Sequence, residues 1–215
     1  MRCKSGFLVV PVVLACVIAG QAQPPMHAFK GTGDVVTPTF DVPGSIAIPC
    51  TAQCGLYVLV MKYAGQGNFI VTLLETDGTP QALAVNTIGS YSGSRLLSIP
   101  RGMYLFQIMS SGPWQMGLVA VDDKDATSLP YTYKATGDSP MGAVRLNAGL
   151  LRATLTHGGT SNFIVQLYHA NGDLVGLVAN TIGLYKGDVA QRIPTTGVYY
   201  LDVQATGDWS ITLTQ

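Results

Sequence analysis

The sequence predicts an all-β protein built from two tandem antiparallel β-sandwiches, of the jelly-roll or immunoglobulin-like kind. Apolar and polar residues alternate with a period of two along most of the chain, and one set of motifs occurs twice. Glycine, proline, asparagine and aspartate separate the alternating stretches, as turn residues do. No stretch beyond the N-terminal segment has a helical period, so both units are expected to consist of strands alone.

The repeat is visible without any alignment of relatives. Asn-Phe-Ile-Val at 68–71 returns at 162–165, and Asn-Thr-Ile-Gly at 86–89 returns at 180–183, each 94 residues later (162 − 68 and 180 − 86). Between residues 68 and 100, 15 of 33 positions are identical at that shift. We therefore predict a duplicated module, with a first unit over 29–121, a linker over 122–132 and a second unit over 133–215.

The N-terminus has the features of an export signal over residues 1–22. Arg2 and Lys4 precede an apolar stretch from Phe7 to Ala19, which is too short to span a bilayer comfortably. Cleavage after Ala22 would leave no membrane span in the mature chain. Two alternatives stay open: Cys16 ends a lipoprotein-like box and would carry the lipid, or the segment is retained as an anchor. Each predicts an exported protein, whether periplasmic, extracellular or on the cell surface.

The cysteines of the mature chain are Cys50 and Cys54, and they predict a disulfide that pins a turn before the next strand. A metal site is the competing interpretation, and it would need more ligands. The histidines have no metal-ligand spacing with this pair, so neither a metal nor a cofactor is expected.

The charge composition narrows the choice of partners. The chain has 12 basic and 12 acidic residues, so its formal net charge is zero, and charged residues make up 11% of the total. Nothing in the net charge directs the protein toward nucleic acid or an anionic membrane. An envelope glycan or another protein is the expected partner. Within the linker, Asp122, Asp123 and Asp125 are interpreted as a solvated acidic stretch; the alternative is that they gather a cation.

A Gly-x-Tyr-x-Gly motif occurs in both units, with Tyr91 and Tyr185 at its centre. Glycine frees the backbone to turn, and a tyrosine held there can stack on a sugar ring or a peptide. Two equivalent copies would add avidity. The alternative interpretation is structural: the ring closes the end of the sandwich and its hydroxyl caps a loop.

One strand differs between the units. Residues 151–156 alternate apolar and polar, whereas residues 56–61 are apolar on both faces, with Val58 and Val60 where the second unit has Arg152 and Thr154. A face that is solvated in the second unit is therefore expected to be covered in the first. The second unit, the extra residues of the first unit around 38–54, or another chain would cover it.

The last two strands of each unit resemble the bacterial pre-peptidase C-terminal type of β-sandwich. The residues that carry this resemblance are Gly-Val-Tyr-Tyr-Leu-Asp-Val at 197–203 and Gly-Asp-Trp-Ser-Ile-Thr-Leu at 207–213. Such modules occur in tandem as accessory domains on exported proteins, so the resemblance implies a non-catalytic role. The family often has an acidic pair near its middle strand, where this chain has Gly-Asn-Phe and Ser-Asn-Phe (67–69 and 161–163), so calcium binding is not carried over.

Together these observations predict an exported, non-catalytic tandem β-sandwich that serves as a binding or adhesion module. A structural subunit of an envelope or extracellular assembly, joined through Val58 and Val60, is the alternative. A small hydrolase using His157 as general base is a third hypothesis, for which no motif is present.

Overall fold

The computed structural model describes residues 16–18, 21–43 and 54–215. Within these ranges the chain forms nineteen strands and no helix, so the all-β prediction is confirmed. The described part of the chain contains no helix of the length and hydrophobicity needed to cross a bilayer.

In chain order the strands are β1 (Cys16–Ile18), β2 (Gln21–Gln23), β3 (His27–Thr32), β4 (Val35–Val36), β5 (Phe40–Val42), β6 (Cys54–Tyr63), β7 (Asn68–Glu75), β8 (Pro80–Ile88), β9 (Tyr91–Pro100), β10 (Gly102–Ser110) and β11 (Pro113–Ala120). The second half contains β12 (Tyr131–Thr136), β13 (Met141–Leu146), β14 (Gly149–His157), β15 (Asn162–His169), β16 (Leu174–Ile182), β17 (Tyr185–Ile193), β18 (Gly197–Ala205) and β19 (Asp208–Thr214).

Apart from the short β1–β2 pair, the strands form four antiparallel sheets, which we number in stacking order. Sheet 1 has the order β4-β10-β7-β8, with β5 also paired to β10, and sheet 2 has the order β3-β11-β6-β9. Sheet 3 has the order β13-β18-β15-β16, and sheet 4 has the order β12-β19-β14-β17.

The two halves have the same strand order. If the strands of each half are numbered from one to eight, with β4 and β5 counted together, one sheet reads 1-8-3-6 and the other 2-7-4-5 in both. This is the order of an eight-stranded jelly roll, and it differs from the immunoglobulin arrangement. The origin of this likeness in a duplication stays a prediction.

Each half encloses its own hydrophobic core. In the first half, the core between sheets 1 and 2 is anchored by Phe69, Phe106 and Trp114. In the second half, the core between sheets 3 and 4 is anchored by Phe163 and Trp209. These residues lie on the inward side of strands whose burial alternates, so the period of two in the sequence marks the core faces.

A third cluster joins the halves. Val58, Leu96 and Val119 on the outer face of sheet 2 are buried against Ala143 and Tyr200 on the outer face of sheet 3. Val58 is 1% exposed, and the half-buried Val60 packs against the same cluster. The second half therefore covers the apolar face that the sequence left unassigned, and the four sheets stack in the order 1-2-3-4.

A buried ion pair crosses this junction. The Nη2 and Nε atoms of Arg95 donate to Oδ2 of Asp202 at 2.8 and 3.0 Å, and the backbone N–H of Leu96 donates to Oδ1 at 2.8 Å. The Asp202 side chain is 1% exposed. Burial by itself would lower the pKa of Arg95, but the charge and hydrogen bonds of Asp202 raise it above its ordinary value. The pair is specific to the junction, because the matching positions of the opposite half hold Val189 and Gln107.

Three sequence predictions fall outside the described residues in whole or part. Cys50 lies in the gap between residues 43 and 54, so the Cys50–Cys54 disulfide stays a prediction. Of the predicted signal segment, the structure describes only residues 16–18 and 21–22. Strand β1 lies within the segment and pairs with β2, which ends one residue beyond it. Cleavage after Ala22 and lipidation of Cys16 stay predictions.

Prediction for the junction: Arg95→Val alone should lower the free energy of unfolding by about 3–5 kcal/mol, because it leaves the buried Asp202 carboxylate without its countercharge. Arg95→Val combined with Asp202→Gln gives both positions the residues of the opposite half, and it should recover most of that loss. Urea unfolding of the two variants and the wild type measures both effects. A double variant no more stable than Arg95→Val would contradict a role for the unpaired charge.

Candidate functional site

The Gly-x-Tyr-x-Gly motif has a geometric cause in each half. The first glycine, Gly89 or Gly183, has a φ of 87° or 84°, which favours glycine at the turn before the strand. The second glycine lies under the tyrosine ring. A Cβ added at Gly93 would lie 2.8 Å from the Tyr91 hydroxyl, and one at Gly187 would lie 2.6 Å from that of Tyr185. The motif lets the ring fold back along its own strand.

Both tyrosine rings pack inward at the end of their sandwich. The ring centroid of Tyr91 lies 5.9 Å from that of Phe69, and the Tyr185 centroid lies 6.1 Å from that of Phe163. Both residues pack at the edge of a hydrophobic core. This is the arrangement of the structural interpretation, in which the ring closes the sandwich end.

The Tyr91 hydroxyl forms a hydrogen bond with a residue of the second half. It donates to Oδ2 of Asp138 at 2.8 Å, and the other carboxylate oxygen accepts the N–H of Ala205 at 2.9 Å. Burial, followed by the charge of Asp138, raises the pKa of Tyr91 well above its ordinary value of 10. Burial also raises the pKa of Asp138, although the hydrogen bond from Tyr91 acts in the opposite direction. Tyr91 therefore belongs to the junction.

His157 is a structural counterpart of Tyr63. Its ring stacks on Phe163 with centroids 4.7 Å apart and planes at 7°, and Tyr63 stacks on Phe69 with the same values. Nδ1 of His157 lies 2.8 Å from the carbonyl oxygen of Gly183, and Nε2 lies 3.2 Å from that of Thr206. Since both ring nitrogens face backbone oxygens, the ring ties two turns together.

An open groove of about 860 Å³ crosses the outer face of sheet 4 near Tyr185. Two rows of outward-facing residues border it, and the strand register gives their order. The first row, from β12 to β17, is Lys134, Ser210, Thr156 and Lys186. The second row, one step nearer the turns, contains Thr136, Asp208, Gly158 and Leu184. The backbone of the inward-facing residues between the rows forms the floor.

The groove offers a defined set of polar groups. The hydroxyls of Thr156 and Ser210 are 2.6 Å apart and form a hydrogen-bonded pair at its centre. Lys134 and Lys186 are exposed at its two borders, and Asp208 accepts a hydrogen bond from Thr136 at the turn side. Each hydroxyl keeps further donor or acceptor capacity after the mutual bond. The arrangement suits a ligand rich in hydroxyl groups, with cations available at both ends.

The same face is different in the first half. The row matching the groove is Lys30, Gln115, Lys62 and Ser92, and it remains polar. Beyond it, Val58 and Val119 lie under the second half. The corresponding positions of sheet 4 hold Arg152 and Thr214, which are exposed. Beyond the groove row, sheet 4 therefore presents an open polar face where sheet 2 presents a covered apolar one.

Tyr185, a candidate from the sequence, lines this groove, but the side chains that border the groove were not predicted. The pattern that could have found them is the run of serine and threonine at alternate positions of β14 and β19. The acidic linker gathers no cation site: among the residues described, no group of three or more His, Cys, Asp or Glu side chains is placed to hold a metal ion. Asp122 instead pairs with Lys124, with Nζ and Oδ2 at 3.3 Å.

No protein-family model matches this sequence, and no curated protein matches it. Among solved structures, the chain is similar to the PBSX exported protein XepA, with 11% identity and a TM-score of 0.27 over 91% of each chain. It is also similar to a structure of infectious bursal disease virus Gx strain, with 13% identity and a TM-score of 0.22, over 86% of this chain and 69% of the other. Neither likeness is close enough to bear on function.

Prediction for Tyr91: Tyr91→Phe should cost about 1.5–3 kcal/mol at neutral pH, since a hydrogen bond to a charged acceptor is lost. The cost should shrink toward pH 4. Because the Tyr91 hydrogen bond favours the carboxylate, its removal raises the pKa of Asp138 further, and the stability of the variant falls more steeply as pH rises above 3.8.

The measurement is urea unfolding of the wild type and variant at both pH values. The control is the same substitution in an Asp138→Asn background, where the cost of Tyr91→Phe should be independent of pH. An equal cost at pH 4 and pH 7 in the wild-type background would rule out the link between Tyr91 and the ionisation of Asp138.

Proposed function

We propose that this protein is an exported, non-catalytic binding module, and that the groove on the outer face of sheet 4 holds a polysaccharide of the cell envelope. The N-terminal signal features support export, and the polar groups of the groove support a hydroxyl-rich ligand. Tyr185 serves this site by shaping the turn and closing the sandwich end beneath it.

One observation carries the proposal. The outer faces of sheets 2 and 4 occupy equivalent places in the two jelly rolls. Sheet 2 is polar at the row of Lys30 and Lys62 and apolar and buried beyond it, whereas sheet 4 is polar and open at both places and carries the groove. A buried face needs apolar residues for the stability of the chain, and this accounts for Val58 and Val119. Packing within the chain does not require apolar residues on the outer face of sheet 4. We therefore attribute the hydrogen-bonded pair of hydroxyls between two lysines to ligand binding.

The chemistry of the groove favours a polysaccharide over a peptide or a nucleic acid. The central groups are hydroxyls, which donate to and accept from sugar hydroxyls. The carboxylate of Asp208 disfavours a closely spaced polyanion such as nucleic acid. The sheet edges that a peptide strand would extend are a different surface from this face.

Prediction for the groove: Thr156→Val together with Ser210→Ala should weaken retention on envelope polysaccharide by roughly 30-fold, since two hydrogen bonds of about 1 kcal/mol each are lost. The measurement is co-sedimentation with purified peptidoglycan and binding to an array of envelope glycans. Thr132→Val with Thr212→Val is the matched control, because those hydroxyls form a 2.9 Å pair on the same face outside the groove. Unchanged retention in the groove variant would overturn the proposal.

A second candidate function is supported by the opposite outer face. Sheet 1 exposes Val36, Leu83, Met103 and Met109 at 55%, 57%, 47% and 45%. The matching face of the second half, on sheet 3, is the one that packs against sheet 2. A second copy of the chain would dock on this apolar face, and the protein would then be a subunit of an assembly. Val58 and Val60, which the sequence suggested for that role, lie at the contact between the halves.

Prediction for assembly: the wild type should form a dimer or larger species at high concentration, and Leu83→Lys with Met109→Lys should be monomeric. The charges would stand in the middle of a dry contact. Size-exclusion chromatography with light scattering measures the mass. Leu174→Lys, at a residue 54% exposed on sheet 3, is the control and should leave the mass unchanged. A monomeric wild type at high concentration would dismiss this candidate.

A further inference from the structure

The two halves carry matching apolar residues at the tips of matching turns. Ile88, the last residue of β8 before the β8–β9 turn, is 77% exposed, and Ile182, the last residue of β16 before the β16–β17 turn, is 75% exposed. Leu184, in the same turn as Ile182, is 79% exposed and is the most exposed large apolar residue among those described. At such exposure these side chains contribute little to the packing of their own turns.

The turn geometry does not require isoleucine. The positive φ lies at the following glycine, Gly89 or Gly183, and the N–H of that glycine donates to Gly67 or Ser161 across the end of the sandwich. A polar residue before the glycine would satisfy the same backbone bonds. An apolar, β-branched residue exposed by three quarters in both halves therefore points to an external contact.

A chain of contacts places both turns at the same end of the molecule. The Tyr91 hydroxyl, beside the first turn, reaches Asp138 of the second half. Asp138 accepts the N–H of Ala205, and the neighbouring Thr206 carbonyl lies 3.2 Å from Nε2 of His157. Nδ1 of the same ring lies 2.8 Å from the Gly183 carbonyl in the second turn. We name this the hairpin end, defined by residues 87–91 and 181–185.

Lysines collect at the hairpin end. Lys30 and Lys62 share a row across sheet 2, and Lys134 and Lys186 share the matching row across sheet 4. All four are exposed. The exposed acids nearby are Asp34, which accepts the Ser110 N–H at 2.8 Å, Asp208, which accepts from Thr136, and Asp188, which lies two residues from Lys186 and accepts from Thr154 at 2.6 Å. The remaining described lysine, Lys124, is in the linker. The four exposed lysines therefore outnumber the three exposed acids by one at the end with the apolar tips, and each of the three acids already accepts a hydrogen bond within the chain.

We propose that the hairpin end docks on a bilayer surface that contains anionic lipids, with Ile88, Ile182 and Leu184 entering the headgroup region. Apolar tips that enter the interface, surrounded by lysines that attract anionic headgroups, are the two elements of reversible peripheral binding. Neither element suffices alone, and the two turns act together because the junction holds the halves side by side. This surface shares Leu184, Lys134 and Lys186 with the border of the polysaccharide groove. Ile88, Ile182 and the lysines of the first half lie outside the groove, whose central hydroxyls are on the sheet face.

The test is co-sedimentation of the full chain with vesicles of phosphatidylglycerol and phosphatidylcholine, compared with vesicles of phosphatidylcholine alone. The wild type should pellet with the mixed vesicles and at least tenfold less with the neutral ones. Ile88→Ser with Ile182→Ser and Leu184→Ser should reduce binding to mixed vesicles at least tenfold. The control is Leu150→Ser with Leu174→Ser and Leu177→Ser, residues exposed by 53%, 54% and 50% away from the hairpin end, which should bind like the wild type.

A second variant, Lys30→Gln with Lys62→Gln, tests the electrostatic part and should weaken the preference for anionic vesicles. Thermal unfolding checks that each variant is folded. Ile88→Ser with Ile182→Ser, which leaves the groove residue Leu184 unchanged, should weaken vesicle binding and keep its retention on peptidoglycan. Thr156→Val with Ser210→Ala should in turn keep vesicle binding, so the failure of one proposal is distinct from the failure of the other. Failure of the wild type to bind either vesicle, or equal binding by the tip variant, would overturn the membrane proposal.

Discussion

The carboxylate of Asp202 lies in the contact between sheets 2 and 3, and that contact determines which sheet faces lie between the two halves. Buried at 1% exposure, it holds Arg95 and the Leu96 N–H from the opposite half. A buried charge pair adds little net stability but penalises any arrangement that separates its members. The apolar cluster around Val58 and Tyr200 supplies the attraction, and the ion pair restricts the halves to one register.

Because of this contact, the outer faces of matching sheets in the two halves have different surroundings. It uses the outer face of sheet 2 and the outer face of sheet 3, so the outer faces of sheets 1 and 4 lie outside the contact between the halves. The free faces then differ in chemistry: sheet 1 is apolar, with Leu83 and Met109, and sheet 4 carries the Thr156–Ser210 pair. The contact also brings the two hairpin turns to one end of the molecule, where the tips can act as a pair.

The strand pattern was readable from residues because burial alternates in step with sequence in a half-buried sheet. Phe69, Phe163 and Trp209 lie inward, as their period of two indicated. The orientation of the repeated tyrosine rings could not be predicted from the sequence, because the same motif permits a ring that points outward or inward. A half-buried partner 47 residues away, Asp138, decides the orientation of Tyr91. The groove was missed because its border is a row across four strands, and residues in such a row are far apart in the chain.

Local chemistry in the chain determined the all-β class, the turn positions and the alternation of core and surface, because these depend on neighbours within a few residues. The tertiary structure alone decided which half covers the Val58 face, where Arg95 finds its partner, and which lysines share an end with Ile88 and Ile182. Those outcomes depend on contacts between residues separated by tens to more than a hundred positions. The net charge and the local motifs of a sequence do not say which distant residues meet, whereas the packed junction fixes those contacts.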